Sequence, residues 1–517
     1  MHRMTWTHGL VIGAVAIACG CASVQSPMPP AAGLKEFIAP PTLAALPAVA
    51  ELPAPPSPAN LSSAPLALDD VLQSVNQHFP LLFAAERERD IALGQRLAAE
   101  GQFDLNLRTR GTNQEGSFGN SRFDISIEQP IPQWGMTAFS GYRFGYGDFP
   151  VYYGDRKTAD GGEFRTGVQI PLLRDRSIDR RRSILRQAQI GEPLALATVQ
   201  TARLGAFRSG ARAYWAWVSA GEQYRISAGL LKLAKDRQEL FEKRTKLGAD
   251  PEFNVIEGRR TVAEREGALI ANERRLQQTS FDLSLLLRDA SGNPVVPNAS
   301  QLPTNFADTV PARFDPNRLA QDLIHAVARR PELMRFQLQK ERLTVDLQLA
   351  RNQQLPGLNA GIAATQDVGG GKKSFAGKDI FASDRTNAEV FLALDLPVQR
   401  RDAFGRTQIA QAQLMQVLAQ ERYARDVIVA EVQDVVSNLD RTYQRLLKAK
   451  EEVAVADEVA MLERKRFDLG TSTFLEVNLR ELFAAGARAK VVDTLAEYQR
   501  ALADLRAATG EDSFATP

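Results

Sequence analysis

Between residues 403 and 469 the chain contains no proline and a single glycine, Gly405. A helix over that stretch is roughly 100 Å long at about 1.5 Å per residue, several times the span of an ordinary small domain. Ile428, Val432, Val435, Leu439, Tyr443 and Leu446 recur in it at spacings of four and three, the seam of a coiled coil. A second long helical stretch covers residues 177–247. Gly191 and Pro193 interrupt it and predict a kink there.

Both stretches end on a related turn. Arg244, Leu247 and Gly248 form one R-x-x-L-G motif; Arg466, Leu469 and Gly470 form the other. Each glycine supplies a left-handed helix end, and each is followed seven residues later by a valine, Val255 or Val477. Returning helices are expected over residues 255–287 and 477–509.

The segments that precede the long helices are duplicated as well. Helical periodicity over residues 66–103 matches that from about Asn317 onward. Pro80 and Pro331 sit at equivalent points between a short and a longer helix, where a first-turn proline is tolerated because its missing N–H has no partner anyway. Alternating segments follow. They read FDLNLR, RFDISIEQPI, TAFSGYRFGYG and EFRTGVQIPL in the first copy, and GLNAGIAAT and NAEVFLALDLP in the second. Val390, Leu392, Leu394 and Leu396 share one face of the last. Period-two alternation over about ten residues marks a strand with one apolar and one polar face. The first copy thus holds four strand-like segments between residues 103 and 171, and QPIPQWGM around Trp134 is placed to turn an extra hairpin. Tyr142, Phe144, Tyr146, Phe149, Tyr152 and Tyr153 crowd nearby, as an interfacial girdle or as the packing of an outer cap.

The N-terminus reads as an export signal over residues 1–20: Arg3 without an acid, an apolar run LVIGAVAIA, then small residues. The run is too short to span a bilayer as a helix. Gly20-Cys21-Ala22-Ser23 resembles a bacterial lipoprotein box, and the residues before Cys19 fit one too, so lipidation is expected at Cys21 or Cys19. A Pro/Ala-rich stretch to residue 65 reads as a stiff tether. The expected organisation is this leader and tether, a first repeat over residues 66–300, a second over 301–512, and a short tail over 513–517.

Several function classes are excluded by what the chain lacks. Lys plus Arg number 63 and Asp plus Glu 61, so there is no excess of basic charge for nucleic acid. Both cysteines lie in the leader region, and only His78 and His325 occur beyond it. No zinc pattern, thiol nucleophile or catalytic pair emerges, and no enzyme activity or cofactor is expected. Val368 to Ser374 (VGGGKKS) lacks phosphate-loop spacing and reads as a loop. Arg180, Arg181 and Arg182 read as a solvated face near lipid headgroups.

Over residues 66–512 the chain resembles the TolC family of outer-membrane efflux and secretion channels. The resemblance is carried by RPEL at 330–333, Leu355-Pro356, and the block from Arg466 that begins RFDLGTSTFLEVNLRELF. It implies a mainly α fold with a transmembrane β-barrel part. Each protomer of a homotrimer would give four strands to a shared twelve-stranded barrel and two helical hairpins to a periplasmic tube. It further implies a lipid-anchored protein of a Gram-negative outer membrane. Such a protein is a passive exit working with a periplasmic adaptor protein and an inner-membrane pump of RND or ABC type, in efflux or type I secretion. Glu476, six residues after the second turn glycine, matches a family position that rings the aperture. Three such carboxylates would favour cations and raise one another's pKa. Asn254 stands where the first repeat commonly has an acid, and Leu479 where a second acid is common, so a gate salt bridge at Asn254 is not expected. Arg244, Leu247, Gly248, Arg466, Leu469 and Gly470 match the tips that meet the adaptor. The competing reading is a coiled-coil structural lipoprotein of the envelope without a pore.

Overall fold

The computed structural model describes residues 64–150, 158–248, 250–368 and 386–511. The leader and nearly all of the tether lie outside them, as do Tyr152, Tyr153 and the glycine-lysine run after Val368. The described elements run in two rounds of the same order. The first is α1 (Leu68–His78), α2 (Pro80–Glu100), β1 (Asn106–Gln114), β2 (Asn120–Pro130), β3 (Thr137–Gly147), β4 (Glu163–Pro171), α3 (Arg180–Lys246) and α4 (Glu252–Ser284). The second is α5 (Leu319–Arg329), α6 (Pro331–Asn352), β5 (Gly357–Asp367), β6 (Thr386–Asp395), α7 (Arg401–Asp468) and α8 (Phe474–Thr509).

Pro80 and Pro331 open α2 and α6 at the first helical positions, each after an extended residue, Phe79 or Arg330. The long helices have 67 and 68 residues, close to 100 Å each. α3 continues through Pro193 as one helix. The proline costs one backbone hydrogen bond, and α2 and α6 hold the helix on either side of it. Arg96 of α2 reaches Glu192 at 3.4 Å, and Gln187 donates to Asp346 of α6 at 2.5 Å.

The six strands form one antiparallel meander in the order β1 to β6. This corrects the expected four strands per protomer. All four segments of the first round are strands, and the Trp134 turn does join β2 to β3 as an extra hairpin. Trp134 and Gly135 take left-handed φ of 56° and 70° there. The alternation had marked every strand; the four-strand count came from the family pattern.

The pairing puts the apolar residues on one face. Ala138 of β3 lies beside Val168 of β4, Val168 beside Ile362 of β5, and Ile362 beside Val390 of β6. The same face continues into the extra hairpin, where Leu107 sits opposite Ile127 and Ile125 opposite Tyr142. These side chains are largely exposed, Val390 at 80% and Ile362 at 66%. The other face is charged. Arg108 pairs with Glu128 at 3.1 Å, Arg165 with Glu389 at 2.8 Å, and Arg143 with Glu163. Two rings also lie on it, and each fills the space over a glycine. A Cβ at Gly167 would strike Phe139, and one at Gly361 would strike Phe391, a packing device that covers strand glycines.

The core lies where α1 and the 3-10 turns after α4 pack on α3, α4 and α8. Trp217, Leu283, Leu302 and Leu495 are buried there. The predicted seam of α7 packs a second cluster with α8, in which Val432 and Leu439 are fully buried beside Leu505.

Candidate channel wall and helix tips

At the strand–helix junction Arg182 is buried, not solvated as expected. Its guanidinium donates to Asp179 at 3.0 Å and to the carbonyls of Arg176 and Ser177, while Asp179 caps α3 by accepting from the Arg182 N–H at 2.8 Å. Arg180 and Arg181 are exposed. They line a cavity of about 920 Å³ with Arg174, Arg400, Arg401 and Arg406, at the helix end of the charged sheet face.

On the apolar face Tyr142 and Phe164 meet at 4.9 Å between ring centroids, and the Tyr142 hydroxyl donates to the Gly161 carbonyl at 2.7 Å. Together with Phe144 and Tyr146 on the same strand face, they occupy the end of the sheet far from the helices.

At the opposite end of the molecule the two helical hairpins turn. Gly248 and Gly470 take φ of 74° and 76°, as both motifs require. Leu247 and Leu469 stand out at 83% and 79% exposure. Arg244 bridges its turn to Asp250 at 2.9 Å, and Arg466 pairs with Glu463 at 3.3 Å. Just behind the turns the hairpins lock together through rings. Phe241 of α3 lies 4.8 Å from Phe474 of α8, edge-on at 84°, and 6.4 Å from Phe467 of α7. Val255 of α4 completes this cluster.

Glu476 is an exposed side chain at the start of α8. It forms a capping box with Thr473: the Thr473 hydroxyl accepts from the Glu476 N–H at 3.3 Å, and Glu476 accepts from the Thr473 N–H at 3.2 Å. It also accepts from the Ser472 hydroxyl at 2.9 Å. These bonds, the backbone one first, hold its carboxyl below the usual glutamate range, with a smaller contribution from Arg466. Within one protomer the shift therefore runs opposite to the rise expected of a carboxylate ring. Asn254 is half-buried on the first turn of α4, and no hydrogen bond joins it to Glu476 among the described residues.

A residue that the sequence reading passed over holds the tips. Glu481 is buried on α8 at 7% exposure. It accepts a two-pronged pair from Arg237 of α3 at 2.7 and 2.9 Å, and a bond from Arg464 of α7 at 2.6 Å. Burial pushes its pKa up, but the two guanidinium groups outweigh this and leave it lowered. Asp493 and Asp504 continue the line along α8. Asp493 accepts from Ser219 at 2.8 Å and from Gln223 at 2.5 Å; Asp504 accepts from Arg208 at 2.7 Å and Arg212 at 3.2 Å. Spacings of 12 and 11 residues, about three helical turns, bring all three carboxylates against α3.

Among the described residues no helix is long and apolar enough to cross a membrane. The sheet joins strands of 9 to 11 residues, apolar on one face and charged on the other, to helical hairpins whose longer arms run about 100 Å.

Residues 323–511 match the outer membrane efflux protein family. The fold is shared with solved outer-membrane channels. VceC from Vibrio cholerae is 17% identical with a TM-score of 0.61, covering 86% of this chain and 96% of that one. MtrE of Neisseria gonorrhoeae, solved in its open state, is 14% identical with a TM-score of 0.61, covering 88% and 94%. CmeC of Campylobacter jejuni is 12% identical with a TM-score of 0.59, covering 89% and 94%. No curated protein matches the sequence. The second repeat thus matches that family, and the chain as a whole shares the fold of these outer-membrane channels.

Proposed function

We propose that three copies of this chain form a passive duct from the periplasm to the exterior, receiving cargo from an inner-membrane pump of RND or ABC type through a periplasmic adaptor protein. The observation that carries this reading is the two-faced sheet set end to end with the long hairpins. An open sheet with unpaired edges is not viable in lipid, so the barrel closes between chains. α7 also exposes Met415, Tyr423 and Val455 along its length, an apolar row suited to a neighbouring protomer. A pore-free scaffold leaves the apolar sheet face unexplained. The protein is anchored by lipid on Cys21 or Cys19 after removal of the leader. Membrane fractions should yield a trimer that resists SDS until heated. A soluble monomer in the periplasmic fraction would overturn the proposal.

The exposed Leu247 and Leu469 are the adaptor contacts. A photo-crosslinker at position 469 is expected to capture a periplasmic protein in cells, and Leu469→Asp to reduce export several-fold while the trimer persists. Unchanged export by Leu247→Asp/Leu469→Asp would remove the tips from docking. Glu476 rings the aperture beside Asn254. Glu476→Gln is expected to lower the cation preference of the reconstituted channel, read as a shifted reversal potential under a salt gradient; an unshifted potential would leave Glu476 only its capping role.

A further inference from the structure

We infer that the edges β1 and β6 are an interface for a second copy of this chain, and that three copies close an eighteen-stranded barrel. This rests on the trimeric-channel reading above and deepens it. The first question is whether the extra hairpin belongs in the membrane. Its strands have 9 and 11 residues, and the other four have 11, 9, 11 and 10; about 9 to 11 are needed to cross a bilayer. β2 is paired with β3 along its whole length, from Asn120 opposite Gly147 to Pro130 opposite Thr137. The apolar face continues across it through Leu107, Phe123, Ile125 and Ile127. A hairpin standing clear of lipid has no need of that face.

The second question is what covers the outer edges. No described strand pairs the free side of β1 or of β6, and in hydrocarbon each unpaired N–H or C=O costs several kcal/mol. β1 leaves the helical end and β6 returns to it, so β6 of one protomer meets β1 of the next antiparallel, as every other pair in the sheet does. The two edges also carry opposite charge on the inward face. β1 presents Arg108 and Arg110 and no acid, and β6 presents Glu389 and Asp395 and no base, with Arg108, Glu389 and Asp395 also paired inside the protomer to Glu128, Arg165 and Arg174. Such edges favour each other over themselves, which selects a head-to-tail ring.

Six strands from each of three protomers make eighteen. At a strand spacing of about 4.8 Å and a tilt of about 40°, the barrel radius rises from ~12 Å for twelve strands to ~18 Å. The outer exit is then wider than the family pattern implies, and the size limit on cargo falls to the helix tips.

The test pairs Arg110→Cys in turn with Asn387→Cys, Glu389→Cys and Phe391→Cys, all inward-facing and two residues apart so that they scan the register. The full-length trimer in bilayer nanodiscs is then oxidised, with each single variant as control. One pair is expected to give covalent trimers on non-reducing gels, and electron cryomicroscopy of the unaltered trimer to show eighteen strands. A conducting trimer with twelve strands, or with no crosslink from any pair, overturns the inference and leaves the channel reading standing. Failure to form any trimer overturns both.

Discussion

Glu481→Gln channels are expected to conduct several-fold more than the unaltered protein at neutral pH, with a lowered heat stability of the trimer. The buried carboxylate is the point where Arg237 of the first hairpin and Arg464 of the second converge. Gln keeps the shape and removes the charge, stranding two guanidinium groups. Breaking one side of a buried ion pair costs roughly 3 kcal/mol, and here the loss falls just behind the tips. Near the tips the ring cluster of Phe241, Phe467 and Phe474 and the Asn478 bonds to Arg265 and Thr261 are then what join the two hairpins. The pKa direction adds a pH dependence. The folded carboxyl lies below its unfolded value, so its stabilisation is complete above the ordinary glutamate range and is lost as pH falls through the lowered folded pKa. Conductance of the unaltered channel should therefore rise in acid below that range, and the rise attributable to this group should be absent from Glu481→Gln. Equal conductance and equal acid response in the two proteins would show that the clasp does not restrain the tips.

Trp217→Ala is expected to be the most damaging core substitution. Trp217 is fully buried on α3, within the cluster that joins α1, α4 and α8. Truncating a buried tryptophan costs about 3–5 kcal/mol through lost burial and the cavity left behind. The cavity opens where the hairpins meet the 3-10 turns, beside Leu302, whose side chain occupies the space that a Cβ on Gly221 would need. The neighbourhood is close-packed on both sides and has little room to relax. A thermal shift of several degrees, or failure to accumulate trimer, is the expected outcome. A trimer melting within a degree of the unaltered protein would mean that the core collapses around the gap.

Most of the architecture is legible in the residues. The seam of Ile428, Val432, Val435 and Leu439, the R-x-x-L-G turns and the prolines opening α2 and α6 each act through local physics, and each appears where its pattern puts it. Strand alternation identified all six strands because one face of the sheet is apolar and the other charged. Pro193 stays inside α3; local propensity cannot weigh the packing of α2 and α6 against one missing hydrogen bond. Arg182 misled for a similar reason: an arginine triplet looks solvated until the junction folds over it. Glu481 had a signal, an acid at the four-then-three spacing between Val477 and Ala484 on the buried stripe of α8. Its partners could not be read, since Arg237 lies 244 positions away and meets it only when the hairpins dock. The Glu476 capping box was readable in Thr473-x-x-Glu476, yet the family position drew attention to the aperture first.

The central claim, that this chain builds a conducting outer-membrane duct, is tested most directly by reconstituting the purified, lipid-bearing, full-length oligomer into planar bilayers. Stepwise, long-lived conductance increments, with cation preference on the side of the helix tips, are the predicted result. Oligomer that inserts into the bilayer yet passes no current, with the Glu481→Gln oligomer equally silent, would contradict it.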